Sequence, residues 1–77
     1  MKVKFFYNQE NEDLFAVFPS EIVKNVFGRF KSCYSRIGQH SLCSDEYINE
    51  SREAEPEYYF PLLNELKQIG YNDLEVI

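Results

Sequence analysis

Residues 55–71, EPEYYFPLLNELKQIGY, carry the one long helical period in the chain, and their reading decides the fold. Tyr59, Leu62, Leu63, Leu66 and Ile69 recur at the i, i+3, i+4, i+7 spacing of an amphipathic helix. Asn64 and Gln68 fall on the opposite side, with Glu65 and Lys67 on the flanks. Pro56 suits the first helical position, where no intrahelical partner awaits its missing N–H. Glu57 places an anion in the first turn, where the helix dipole favours it. Gly70 supplies a left-handed stop, and Tyr71 is spaced to pack back on Leu66 in a Schellman ending. Pro61 is out of place. It removes a backbone donor inside the helix and predicts a bend costing roughly 3 kcal/mol.

A helix with one apolar stripe needs a surface to bury it on, and the remaining sequence offers strands. Lys2–Tyr7 alternates Lys2, Lys4 and Phe6 against Val3, Phe5 and Tyr7. Asn8–Asp13 is polar and short, as a hairpin loop is. Leu14–Phe18 is apolar throughout and stops at Pro19, which predicts a buried second strand pairing antiparallel with the first. Ser20–Gly28 fits either a loop or one to two helical turns capped by Ser20. Arg29–Ile37 alternates as a third strand, and Gln39–Cys43 follows Gly38 as a polar loop. Ser44 caps a short helix from Asp45 to Asn49 or Glu50, and Leu74–Ile77 closes the chain as a strand.

The expectation is a single α+β domain over residues 1–77, in the order β-β-β-(short α)-α-β. It has two layers: an antiparallel-rich sheet of three to four strands, with the Pro56–Ile69 helix packed on one face.

Composition narrows function more than it assigns it. With 77 residues the core is small, and six Tyr and seven Phe compensate by burying large areas each. No apolar run approaches a membrane span, and MKVKFFYNQE lacks the apolar stretch of a secretory leader. A cytoplasmic location is therefore expected, and with it free thiols at Cys33 and Cys43. A net charge of −5 argues against generic nucleic-acid binding. Charge is uneven: residues 22–44 hold Lys24, Arg29, Lys31 and Arg36 with no acid, whereas residues 45–57 are acidic apart from Arg52. Two solvated faces that attract each other within one fold explain this pattern better than a charged partner does.

At Phe18-Pro19, Cys33-Tyr34, Ile37-Gly38-Gln39-His40 and the Tyr59–Tyr71 helix, the chain resembles a family of short uncharacterised bacterial proteins. Their shared pattern is a strand running into Gly-Gln-His and a closing helix ending Ile-Gly-Tyr. The resemblance covers most of the chain from Leu14 onward. It departs from the pattern at Pro61, where members often carry an acid. It implies a single-domain bacterial protein and brings no activity with it.

The sequence offers residues for four kinds of chemistry. His40 with Cys33 or Cys43 suggests a Cys/His-dependent enzyme, but no orienting third residue accompanies them. The spacing Cys33-x6-His40-x2-Cys43 offers three metal ligands where structural zinc wants four, so neither metal nor cofactor is assigned. Phe30, Tyr34 and Arg36 on one strand face, flanked by Arg29 and Lys31, suggest a nucleic-acid accessory role through Arg29–Arg36, although packing of Phe30 and Tyr34 under the helix or a rim loop explains the same residues better. Finally, Phe6, Phe15, Phe27, Phe30, Tyr47, Tyr58 and Phe60 exceed what so small a core holds, which predicts an exposed aromatic patch. The reading preferred at this level is a non-catalytic protein-interaction module that binds a protein or itself. Its candidate binding residues are Gln39, His40, Phe30, Tyr34 and Arg36.

Overall fold

The alternation at the N-terminus becomes the sheet's central pairing. A computed structural model describes residues 1–35 and 39–77. Its elements are β1 (Lys2–Asn8), β2 (Asp13–Asn25), β3 (Gly28–Ser35), β4 (Gln39–Cys43), α1 (Asp45–Glu50), β5 (Arg52–Glu53), α2 (Pro56–Gln68) and β6 (Glu75–Val76). Strands β4-β3-β2-β1-β5 pair antiparallel in that order. The last strand, β6, runs parallel to β1 and shares its outer edge with β5. The architecture is α+β, as expected, but among the described residues the sheet has six strands rather than three to four. The extra strands escaped the sequence reading for physical reasons. Strands β5 and β6 are two residues each, too short to show a period. β4 is an edge strand with three polar residues in five, so it reads as a loop.

Period-two alternation splits the apolar residues between the two faces. Val3, Phe5, Ala16, Phe18 and Tyr34 meet Leu62, Leu63 and Leu66 of α2 on one face. Each buried leucine there contributes on the order of 1.5–3 kcal/mol. Tyr59 stacks on Phe5 at 4.3 Å, and Tyr71 on Phe18 at 5.2 Å. Ile69 departs from the expected stripe. It is the C-cap residue and half exposed, because the helix ends before its side chain reaches the sheet. The helix ending itself is as expected: Tyr71 N–H donates to Leu66 O and Gly70 N–H to Lys67 O, the two bonds of a Schellman motif. Helix α2 runs through Pro61, which faces outward.

The opposite face is covered as well, so the two-layer expectation needs correction. Phe15, Val17, Cys33 and Cys43 form a second cluster there, with Phe6 and with Tyr47 and Ile48 of α1 packed against it. Ser44 caps α1 as expected, accepting the Tyr47 N–H at 3.1 Å.

The largest correction concerns residues 20–28, which are neither helix nor loop. Strand β2 continues to Asn25, Val26 and Phe27 make a turn, and β2 and β3 form a long hairpin arm. The register breaks between Phe18 and Ile22, which leaves Pro19, Ser20 and Glu21 without partners on β3. A bulge is where a strand tolerates a residue that cannot donate. Beyond it, Ile22–Asn25 pairs with Gly28–Lys31 across a two-residue turn, Val26-Phe27. Asn25 Oδ1 accepts the Phe27 N–H at 2.8 Å, and Gly28 takes φ +130°. Asn at the first and Gly at the fourth position is the signature of a type I turn.

Candidate functional site

Of the five candidate binding residues, Arg36 lies outside the described residues, as do Ile37 and Gly38 of the family-like phrase. Gln39 opens β4, with its backbone opposite Ser35. His40 is opposite Tyr34 in that register; its ring meets the Tyr34 ring edge-on at 4.9 Å and tilts toward Tyr71 at 6.2 Å. Tyr34 is buried under α2, and its hydroxyl donates to Glu65 Oε2. That bond, followed by burial, holds its phenol above the ordinary value. A ring so enclosed presents no face on which a base can stack. Phe30 is half buried opposite Val23 in the arm. The structure therefore brings His40 and Tyr34 together and leaves Phe30 apart from them.

The cysteines correct another expectation. Cys33 and Cys43 are joined as a disulfide, with Cα atoms 6.2 Å apart on neighbouring strands. Register explains the pairing: Cys33 lies opposite Ser41 and Cys43 opposite Lys31, so both side chains leave the same face as diagonal neighbours. His40, one residue from Ser41, projects from the other face. A Cys–His pair, or a Cys-His-Cys metal site, would have to reach through the sheet. Among the described residues no three His, Cys, Asp or Glu side chains converge as metal ligands.

The charge asymmetry resolves partly into a contact within the fold. Lys31 of the basic segment pairs with Asp45 of the acidic one, and Lys4 pairs with Glu53 at 2.5 Å. The Lys31 hydrogen bond and its charge hold the Asp45 carboxyl below its ordinary range.

Two surface features remain. The first is the tip of the β2–β3 arm. Every residue from Ser20 to Arg29 is exposed; Val26 is 92% and Phe27 85% exposed. Lys24 and Arg29 lie directly opposite each other one step below the turn. The second is an open cleft of about 1150 Å³ at the other end of β2, between the β1–β2 turn and the start of α2. Tyr7, Leu14, Ala54 and Tyr58 give it apolar and aromatic walls. Glu12, Asp13, Glu53 and Glu55 line it with carboxylates. Its one cation among the lining residues, Arg52, sits over the Tyr7 ring at 5.8 Å.

Sequence reasoning counted Phe27 and Tyr58 among the surplus aromatics but assigned neither a site. The signal for the first was available: Asn25-Val26-Phe27-Gly28 is turn chemistry around two apolar residues that no core needs. The cleft had no local signal, because its walls come from β1, β2, β5 and α2. No helix among the described residues is long and apolar enough to cross a membrane. Comparison with protein-family models, curated proteins and solved structures finds no match to this chain.

Proposed function

We propose that this protein is a small non-catalytic interaction module whose contact element is the β2–β3 arm. One observation carries the reading: Val26 and Phe27 form an apolar tip at 92% and 85% exposure, on a hairpin whose turn is held by Asn25 and Gly28. An exposed Phe on a fixed turn costs little ordering entropy when a partner covers it, which is the property of an interface anchor. The surplus of aromatics supports the same reading, since Tyr58 and Phe60 are also more than half exposed.

A nucleic-acid role is the second reading. The facing Lys24 and Arg29 beside Phe27 favour it; buried Tyr34, paired Lys31 and the net charge of −5 weigh against it. Co-purification from lysate with and without nuclease, using wild type and Phe27→Asp, separates the two. A protein that survives nuclease and is lost with Phe27→Asp supports the module. Binding that disappears with nuclease and falls steeply with salt supports the second reading.

The family resemblance and a bacterial cytoplasm belong to this proposal too. In that setting the Cys33–Cys43 bridge opens to two thiols, because cytosolic reductants hold cysteines reduced. Thiol trapping at the moment of lysis tests the compartment.

A further inference from the structure

The arm tip and the cleft complement each other, yet they stand at opposite ends of β2. The tip offers Val26 and Phe27 above the facing cations Lys24 and Arg29. The cleft offers Leu14 and Tyr58 as apolar surface, with Glu12 and Glu55 among the carboxylates on its walls. Among the described residues neither Glu12 nor Glu55 makes an ion pair. The Glu55 side chain also makes no capping bond to α2, although it stands at the N-cap. A cleft of about 1150 Å³ lies above the usual range of small-ligand pockets.

One chain cannot satisfy both surfaces itself. Asp13 and Leu14 of the cleft open β2 and Asn25 below the tip closes it, at the two ends of an extended strand of 13 residues. We infer that the partner of the arm is a second copy of this chain: the tip of one copy enters the acidic aromatic cleft of the next, head to tail. The inference rests on the reading of the arm as a contact element and names its occupant. Such a contact uses two different patches on each copy, so it closes into a ring, of which a reciprocal pair is the smallest, or runs on as an open chain. Facing cations on the arm and carboxylates in the cleft fix the direction of docking and make association sensitive to salt.

Complementation between two disabled copies tests it. Phe27→Asp leaves the cleft intact and disables the arm. The double variant Glu55→Lys/Tyr58→Lys leaves the arm intact and disables the cleft; Glu12→Lys, on the β1–β2 turn, is a second cleft variant should the first not fold. Sedimentation velocity over about 10 µM to 1 mM spans the affinities expected of small, weak interfaces. Wild type should rise above the monomer mass with concentration, and its association should weaken roughly tenfold between low and high salt. Each variant alone should remain a monomer, whereas their equimolar mixture should form a dimer and grow no further. A wild type that stays monomeric overturns the inference, as does a mixture of folded variants that fails to pair while wild type associates. The broader reading fails separately. If wild type is monomeric but Phe27→Asp loses a nuclease-resistant protein partner, the arm is a contact element for another protein. If Phe27→Asp instead loses binding to nucleic acid or to anionic vesicles, both readings fall.

Discussion

Strands β2 and β3 live two lives, and the boundary between them is Pro19. On one side Phe15, Ala16, Val17 and Phe18 are buried, served by α2 on one face and α1 on the other. On the far side the same two strands continue as an arm in which every residue from Ser20 to Arg29 is exposed, Ile22, Val23, Val26 and Phe27 included. Both halves are rich in apolar residues, so hydrophobicity alone does not mark the core. A second layer does: a strand is buried where a helix covers it. The arm has the pairing of a strand without a cover.

Five measurements break or sharpen that division. Leu66 is fully buried between α2 and the sheet, and Leu66→Ala should cost about 2–5 kcal/mol in urea unfolding. The matching change on the arm, Phe27→Ala, should stay within about 0.5 kcal/mol. Comparable losses at the two sites would mean that the arm is part of the cooperative core. Next comes the bridge. The ten-residue separation between Cys33 and Cys43 closes a short loop, for which loop entropy predicts about 2–3 kcal/mol. Air-exposed purified protein should present no free thiol under denaturing conditions, and reduction should lower its urea midpoint. Two thiols without reductant would dissolve the pair. Smaller again is Gly28→Ala at the arm turn, where φ +130° strains any side chain; a loss of about 1 kcal/mol is expected, with α2 intact by circular dichroism.

Titration separates the regions by charge state. Tyr34, Tyr47 and Tyr71 all ionise above the ordinary tyrosine value, the first mainly through its bond to Glu65, the others mainly through burial. A raised folded value means that their contribution to stability is complete below the unfolded value of about 10 and is lost as pH rises through the folded values. Ultraviolet titration should resolve a late class of tyrosines that disappears in urea; a single class at the ordinary value would contradict the packing of the body. The smallest effect is at Asp45, whose folded value is depressed by Lys31. Its contribution is present above the unfolded value of about 3.9 and is lost as pH falls through the folded one. Asp45→Asn should therefore lower stability slightly at neutral pH and converge on wild type in acid. The pair is largely exposed, so the difference at neutral pH is small.

What the sequence made legible follows from how local each signal is. Helix α2, its Schellman ending, the Ser44 cap and the β1–β2 hairpin rest on residues within a few positions of one another, and all were readable. Strand β4 was not, because its polar residues Gln39, His40 and Ser41 fall on both faces and QHSLC shows no apolar alternation. The arm was misread because Pro19 marks a bulge here, whereas a proline more often ends a strand. The disulfide was missed because it depends on the pairing of β3 with β4. Of the candidate binding residues, Tyr34 belongs to the core, since the β3 alternation aims it at α2. The arm tip and the cleft lie at the two ends of β2, a relation only the fold creates.

The three unpaired residues at the bulge have one more consequence. Cross-strand bonding is interrupted there, so order in the arm does not propagate from the body, nor loss of order into it. Amide protons of Ile22 to Lys31 should exchange with deuterium far faster than those of Phe15 to Phe18, with a step at the bulge rather than a gradient. The arm is thus a graft already in place. Its tip should accept other two-residue turns while the body beneath it keeps its own free energy of folding.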